Sequence, residues 1–475
     1  MYGARRLAFL CAAVAALALI LFVIKIIPSP TASGTEIVFR EGEPGDISFI
    51  SIQNAYGLFE VRSEEDGYTV HDIPARHVDY DRFVKLMGDL AAPRAKGVAA
   101  EKPADRSVYG LDTPRAEVAV QYKSGPDFKL YIGDVEPVGK SVYFSVQGNS
   151  AVYLMDAAVA ANMTCAPKDF IDRRVTEELT FASPLDAVIN AAFIGGGLER
   201  AISIVSVMHG GEEIRRAALS FGAATHLVHT GDDVLKLDQT YGIKMLGALT
   251  GIVAKDVEAY NCTSERLEAM GFGTPWMIAD FSVIIDDGGS ISNYTLFFLP
   301  ADSGEYLVKL GGEDVVYRVE RPDFMDIDPG RLTARWFLTP FIMDLRGVRV
   351  VAGDNCLNFK LSGKSNADRK VALDGVDFDM KKFRKLFRLL TGASNDGESL
   401  TAAYGGTEPI VSVEYEYSNG LKDNDIIEFR RGPPRRLAVS VNGKQVSYGM
   451  RDAYAKRVSE ACAAILNGED FDINW

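Results

Sequence analysis

A chain of 475 residues is long enough for two to four domains, and its composition is that of an ordinary globular protein, neither disordered nor collagen-like. The formal net charge is −14; residues 1–27 hold Arg5, Arg6 and Lys25 with no acid, and the span 28–336 alone carries −18. So negative a surface repels nucleic-acid phosphates and argues against a DNA or RNA partner. The five cysteines, Cys11, Cys165, Cys262, Cys356 and Cys462, form no C-x-x-C pair, which argues against a zinc site or a dense disulfide scaffold.

The first predicted element is a membrane segment. Residues 7–24 are an unbroken apolar run followed by Lys25, and as a helix they span roughly 27 Å, close to the thickness of a hydrocarbon core. Arg5 and Arg6 precede the run, so the positive-inside rule leaves 1–6 in the cytoplasm, makes 7–27 a transmembrane signal anchor and exports the rest. The rival is a cleaved signal peptide, whose apolar core is ordinarily only ~7–15 residues long. Residues 29–33 offer it no convincing cleavage site.

After the anchor one template recurs three times. A Gly- and Thr-containing turn ends at Pro114, Pro275 and Pro409, and a tyrosine follows at Tyr153, Tyr317 and Tyr448, after 39, 42 and 39 residues. Six and eight positions beyond the proline stand Val120 and Tyr122, Phe281 and Val283, then Tyr415 and Tyr417. Polar residues sit between them, the period-two alternation of a half-buried strand. The phase agrees in all three copies, although a slip of one residue would reverse every side chain.

Each such strand opens a predicted four-stranded meander. The further strands are 128–132, 142–146 and 152–154; then 294–299, 306–310 and 315–319; then 426–429, 437–441 and 446–448. Turns at Ser124-Gly125-Pro126, Asp286-Asp287-Gly288-Gly289 and Ser418-Asn419-Gly420 supply hairpin chemistry.

Upstream lies an amphipathic helix. Phe83, Leu86, Met87 and Leu90 mark it in the first copy, and Phe383, Leu386, Phe387 and Leu390 in the third. Tyr241, Met245, Ala248 and Leu249 mark a looser version in the second. Strand pairs at 49–52 with 58–61, and at 348–351 with 357–361, precede the first and third helices. A second helix is predicted to close each copy, clearest at 454–466. The reading is therefore α+β: an N-terminal transmembrane helix, then three related modules at 35–175, 176–336 and 337–475. Each module is an antiparallel β-meander with packed helices and a core of its own.

Tyr109-Gly110-Leu111-Asp112-Thr113-Pro114, the following Tyr131-Ile132-Gly133 and the Val152-Tyr153 strand resemble the bacterial family called domain of unknown function 4340. The second copy has Met270 where that family has tyrosine, and the third reads Gly405-Gly406-Thr407-Glu408-Pro409. The resemblance implies a single-pass protein of the bacterial inner membrane with a periplasmic α+β body. It also implies proximity to ABC transporters of the gliding-motility type. It supplies no catalytic residues.

Candidate chemistry is sparse. Gly139-Lys140-Ser141 has the wrong glycine spacing for a phosphate loop and is followed by a strand. His226 and His229 could share a metal on a helix, but their surroundings read as strand, where positions three apart face opposite ways. The remaining histidines, His71, His77 and His209, are isolated. Asp326-Ile327-Asp328-Pro329-Gly330 lacks the later ligands of a calcium loop and reads as a turn, as does Gly195-Gly196-Gly197.

No catalytic, cofactor-binding or metal residue is assigned, and no cofactor is implied. Two basic clusters are candidates for docking lipid headgroups or an acidic partner: Lys381, Lys382, Arg384, Lys385 and Arg388, and Arg430, Arg431, Arg435 and Arg436. The expected function is a non-enzymatic accessory or scaffold subunit of a cell-envelope ABC transporter system. The alternative is an extracytoplasmic binding module for a glycan or peptide.

Overall fold

The computed structural model describes residues 36–475 apart from Asp66, His71, Asp232, Thr401, residues 404–407, Asn419 and Leu421. The segment 1–27 and residues 405–407 of the third turn therefore lie outside the described residues, and among those described no helix is long and apolar enough to cross a membrane. The fold is α+β, built on three large antiparallel sheets of eight, nine and nine strands and a two-stranded ribbon, Ile37–Val38 with Arg94–Ala95.

The three large sheets share one central plan, two meanders joined through their first strands, the first meander having three strands in the first sheet and four in the others. In the first, a meander of Ile47–Asn54, Gly57–Glu64 and Gly67–Val70 leads to the helix Tyr80–Ala91. A second meander, Ala116–Tyr122, Phe128–Val135, Ser141–Val146 and Val152–Asp156, then starts beside the first strand of the first. The second sheet runs Val188–Gly195, Ile202–Ser206, His226–Thr230, Asp233–Lys236, helix Gln239–Gly247, then four strands from Met277–Ile284 to Val316–Val319. The third runs from Leu345–Ala352 through the helix Met380–Thr391 to Val411–Tyr417, Asp425–Arg431 and Arg436–Val441.

The likeness extends to single hydrogen bonds. Each joining helix is capped by an aspartate that accepts from a first-turn amide: Asp79 from Arg82, Asp238 from Tyr241 and Asp379 from Lys381, at 2.8–3.1 Å. The residue after each signature proline donates to the neighbouring strand: Arg115 to Ile132, Trp276 to Phe298 and Ile410 to Phe429, at 2.7–2.9 Å. Where the two meanders meet, the pairing slips by one residue at the same place. Ile47 faces Tyr122, Val188 faces Val283 and Leu345 faces Tyr417, and the next partners are Phe49–Gln121, Asn190–Ser282 and Gly347–Glu416. Ser48, Ile189 and Arg346 are the extra residues, each a β-bulge that sharpens the local twist.

Burial follows the alternation. The post-proline strands bury every second residue, and the joining helices of the first and third sheets meet that buried face, Tyr122 donating to the Leu90 carbonyl at 2.7 Å in the first. In the third sheet Phe383 packs on Phe359 with ring centroids 4.9 Å apart, and Phe387 meets Tyr415 edge-on at 6.2 Å.

Three expectations need correcting. The strand placed at 446–448 is broken: Lys444–Gln445 and Met450–Arg451 pair with Arg436–Val441, while Tyr448 makes only an isolated bridge to Ser399. A long closing helix forms only in the third copy, Ala453–Leu466; the first has the short Ala157–Thr164, and Pro322 and Pro329 leave the second with single turns, Asp323–Asp326 and Pro329–Leu332. The cores are also not all separate. The chain falls into two compact units, one ending at Arg173 and including Ala259–Asn261, the other formed by Arg174–Glu258 and Cys262–Trp475. Within the second unit, Ala218, Phe221 and Leu227 join the core around Leu345, Phe359 and Tyr415, so the second and third sheets share apolar surface.

The signature turn is explained by close backbone approach. Gly110 has φ of 67°, and a Cβ there would lie 2.5 Å from the Asp134 carboxyl carbon. A Cβ on Gly133 would stand 2.1 Å from the Tyr109 carbonyl oxygen. Buried Leu111 packs on the space that Gly133 leaves. Gly133→Ala is therefore expected to cost ~3 kcal/mol or more by forced overpacking. Gly88→Ala, on the exposed face of Tyr80–Ala91 with nothing within 4 Å, should stabilise by ~0.5–1 kcal/mol. Urea unfolding of the two variants measures both; equal effects would contradict the packing account.

Candidate functional site

A hollow in the second unit lies between elements of its two sheets. Its volume is about 740 Å³, within the range of small-molecule sites. One wall is the hairpin tip after Val188–Gly195, where Gly195, Gly196 and Gly197 all have positive φ. Glycine is required at Gly195, because a Cβ would lie 2.4 Å from the Trp276 carbonyl oxygen. The tip delivers Glu199 and Arg200, and a Cβ on Gly231 would fall 2.6 Å from an Arg200 nitrogen, so the guanidinium lies over that glycine.

A second wall is 327–333. Asp328 caps the turn that follows, accepting from the Gly330 amide at 2.9 Å, and its own amide donates to the Tyr241 hydroxyl at 3.0 Å. Thr333 bridges to Leu237 and is 4% exposed, yet its hydroxyl has no hydrogen-bond partner among the described residues. The third wall comes from the third sheet: Ser447 donates to Asp233 at 2.7 Å, and half-buried Tyr448 sets its hydroxyl against Gly330. Burial, aided by Asp328 and Asp233, raises the Tyr448 pKa, so the phenol stays protonated and able to donate.

Asp233 and Leu235 also line an adjoining cavity of about 280 Å³, which opens on a buried polar network. Asp425, 1% exposed, accepts from Ser220 and Tyr417 at 2.7 Å, from Lys422 at 2.9 Å and from Asn442 at 3.0 Å. Lys422 also donates to the Ser220 hydroxyl at 2.6 Å. Serine beside lysine is a nucleophile–base pair only when the lysine is neutral. Here the Asp425 carboxylate holds the ammonium, and the Ser220 proton already points at Asp425. The arrangement works as a lock joining Ser220 of the second sheet's segment to the Tyr417–Asp425 hairpin of the third.

Burial opposes the charge on Asp425, but Lys422, Asn442 and Tyr417 outweigh it and hold the carboxyl below its usual range. Its folded pKa being depressed, its contribution is present above the ordinary value of 3.8 and is lost as pH falls through the lower folded value. Lys422→Met leaves this carboxylate buried without a cation and is expected to cost ~3–5 kcal/mol at neutral pH. The loss should shrink as acid protonates Asp425. Guanidinium unfolding at neutral pH and near pH 3 checks both; a pH-independent loss would contradict the charge argument.

The histidine pair lies on the strand His226–Thr230, with His226 fully buried and His229 half-buried. His226 Nε2 sits 2.9 Å from the Val188 carbonyl oxygen while Nδ1 is buried without a partner, which is the neutral Nε2–H tautomer. Burial holds its pKa below the ordinary 6.5. The unfolded chain thus binds the proton first, and stability should fall as pH drops below 6.5, by up to ~1.4 kcal/mol per unit. His226→Gln, compared with the native chain in urea between pH 7 and 5, should lack this slope; an unchanged slope would assign it elsewhere.

The basic clusters are largely spent internally. Lys382 donates to the Gly468 and Glu469 carbonyls, and Lys385 pairs with Asp470 at 2.8 Å. Arg430 pairs with Glu428, and Arg436 grips Asp396 through two 2.7 Å bonds. Arg384 reaches the Asn366 carbonyl. Lys381, Arg388, Arg431 and Arg435 are exposed and make no ion pair among the described residues.

Gly139-Lys140-Ser141 is a hairpin turn before Ser141–Val146, and Asp326–Gly330 is a turn, as their sequences predict. The four described cysteines are free thiols; Cys262 and Cys462 are buried, and burial pushes the Cys462 thiol up to about 12. The cleft and the Asp425 lock escape sequence reading because their parts are far apart in the chain. Only the i,i+3 spacing of Lys422 and Asp425 is a local signal.

The signature turn, its Gly133 partner strand and the sheet they close all lie within one matched segment. Residues 44–183 match the family model described as Domain of unknown function (DUF4340). The match covers the whole first sheet and the helix Ala157–Thr164, and the matched segment is where the glycine packing is tightest. Comparison with curated proteins and with solved structures gives no match.

Proposed function

We propose that the chain is a single-pass protein of the bacterial inner membrane, its periplasmic body a non-enzymatic scaffold or accessory subunit of a cell-envelope ABC transporter system. The observation that carries this reading is the thrice-used sheet plan, with the same bulge and the same capped helix, behind an apolar run at 7–24. Repeated modules multiply weak contacts through effective concentration, which suits an adaptor. The module limits 35–175, 176–336 and 337–475 belong to this proposal. The similarity of 44–183 to DUF4340 supports it through the setting that the family resemblance implies. Lys381, Arg388, Arg431 and Arg435 remain for docking headgroups or an acidic partner.

Affinity purification of the full-length chain from native membranes is expected to recover ABC transporter subunits with it. Reversing the charge of Lys381, Arg388, Arg431 and Arg435 should reduce that recovery by about tenfold if docking is worth ~1.4 kcal/mol. Recovery of the chain alone would overturn the scaffold reading. A second reading, an extracytoplasmic ligand-binding module, is favoured by one observation: the 740 Å³ polar cleft in the second unit.

A further inference from the structure

Repetition supplies an internal control. Tyr153 and Tyr317 fill the same place in the first and second sheets, each buried in the strand beside the far edge, and Asn149 donates to the Tyr153 hydroxyl at 2.7 Å. Tyr448 is their counterpart, since its bridge to Ser399 stands where Tyr153 meets Val98. It alone of the three is half-buried and lines an open cleft.

Around it the donors and acceptors are mixed. Arg200 and the Tyr448 hydroxyl donate; Glu199, Asp233 and Asp328 accept. Thr333 completes the wall; its hydroxyl is buried and has no hydrogen-bond partner among the described residues. Among the described residues, three carboxylates against one guanidinium repel anionic ligands such as phosphorylated headgroups. An apolar ligand would leave the charged groups unpaired.

We propose that this cleft binds an uncharged, hydroxyl-rich ligand, a neutral oligosaccharide, held by Arg200, Tyr448 and the carboxylates of Asp233 and Asp328. The proposal rests on the ligand-binding reading given second above and names its ligand class. Sugar hydroxyls both donate and accept, which matches the mixed lining. A volume of about 740 Å³ admits more than one ring. The apolar side chains of Leu235, Ile327 and Leu400 offer a surface to the C–H faces of such rings.

The test uses the purified full-length chain and saturation-transfer NMR or calorimetry with three probes: a neutral oligosaccharide panel, a sulfated oligosaccharide and a lysine-rich peptide. Neutral oligosaccharide binding is expected, with affinity reduced about tenfold in R200A and several-fold in Y448F, as loss of one charged and one neutral hydrogen bond requires. T333V removes an unpartnered hydroxyl without changing side-chain shape, so it should leave the melting temperature unchanged or raised and, that oxygen having no accessible surface, leave the sugar affinity unchanged. Neutral-sugar binding insensitive to R200A and Y448F places the ligand elsewhere and overturns the proposal. Binding of the lysine-rich peptide or the sulfated sugar in its stead, lost in the same variants, overturns the neutral-sugar assignment while sustaining the ligand-binding reading. Binding of no probe overturns both.

Discussion

The fold turns on one pairing: the first strand of each sheet against the strand that follows the signature proline. The partners are 47–54 with 116–122, 188–195 with 277–284 and 345–352 with 411–417. Each pairing closes a long stretch of chain, and closing it costs entropy before any contact is made. What recovers that cost is burial on one face, which also fixes register, since a slip of one residue would expose the whole apolar set. In the first and third sheets the aspartate-capped helix between the partners brings them together by covering the same face. A bulge at the same step in all three sheets sets the twist at the junction of the two meanders.

That junction also explains what was legible in the sequence. The post-proline strands and joining helices were readable because each buries one face with an unbroken period. The strands opposite them were not fully readable, because the bulge inserts a residue and breaks the alternation. Only 49–52 of Ile47–Asn54 and 348–351 of Leu345–Ala352 stood out, and Val188–Gly195 was missed altogether. Asp233–Lys236 carries no periodicity at all, being half-buried at every position between two cavities. Edge strands such as Gly97–Ala100 and Asp256–Ala259 are too short for a pattern. The site was illegible for a plainer reason: Ser220 and Lys422 are separated by 202 residues.

Sharing a core between the second and third sheets creates a specificity problem, because apolar surfaces slide. Ala218, Phe221 and Leu227 would pack on many arrangements of Leu345 and Phe359. The Asp425 network does not tolerate such freedom. Its carboxylate takes Ser220 from one side and Lys422, Tyr417 and Asn442 from the other, and any displacement strips the Ser220 hydroxyl from Asp425 and Lys422 and leaves buried polar groups short of a hydrogen bond. Apolar area supplies the attraction, and the polar lock selects one alignment.

The same division of labour accounts for the cleft. In the third sheet the last strand is interrupted between Lys444–Gln445 and Met450–Arg451. A clamp substitutes for regular pairing there: Arg436 holds Asp396 bidentately and the Glu398 carbonyl at 2.7 Å, while the Asp396 amide donates to the Gly449 carbonyl and the Gly449 amide to the Glu398 carbonyl. Gly449 permits this closeness, since a Cβ there would lie 2.8 Å from an Arg436 nitrogen. With edge geometry secured by the clamp, Ser447 and Tyr448 are no longer bound to the buried ladder that holds Tyr153 and Tyr317. Ser447 turns to Asp233 of the neighbouring sheet, and Tyr448 faces the hollow. A repeated fold can depart from its template where another interaction carries the constraint, and here that departure and the polar cleft fall at the same residues.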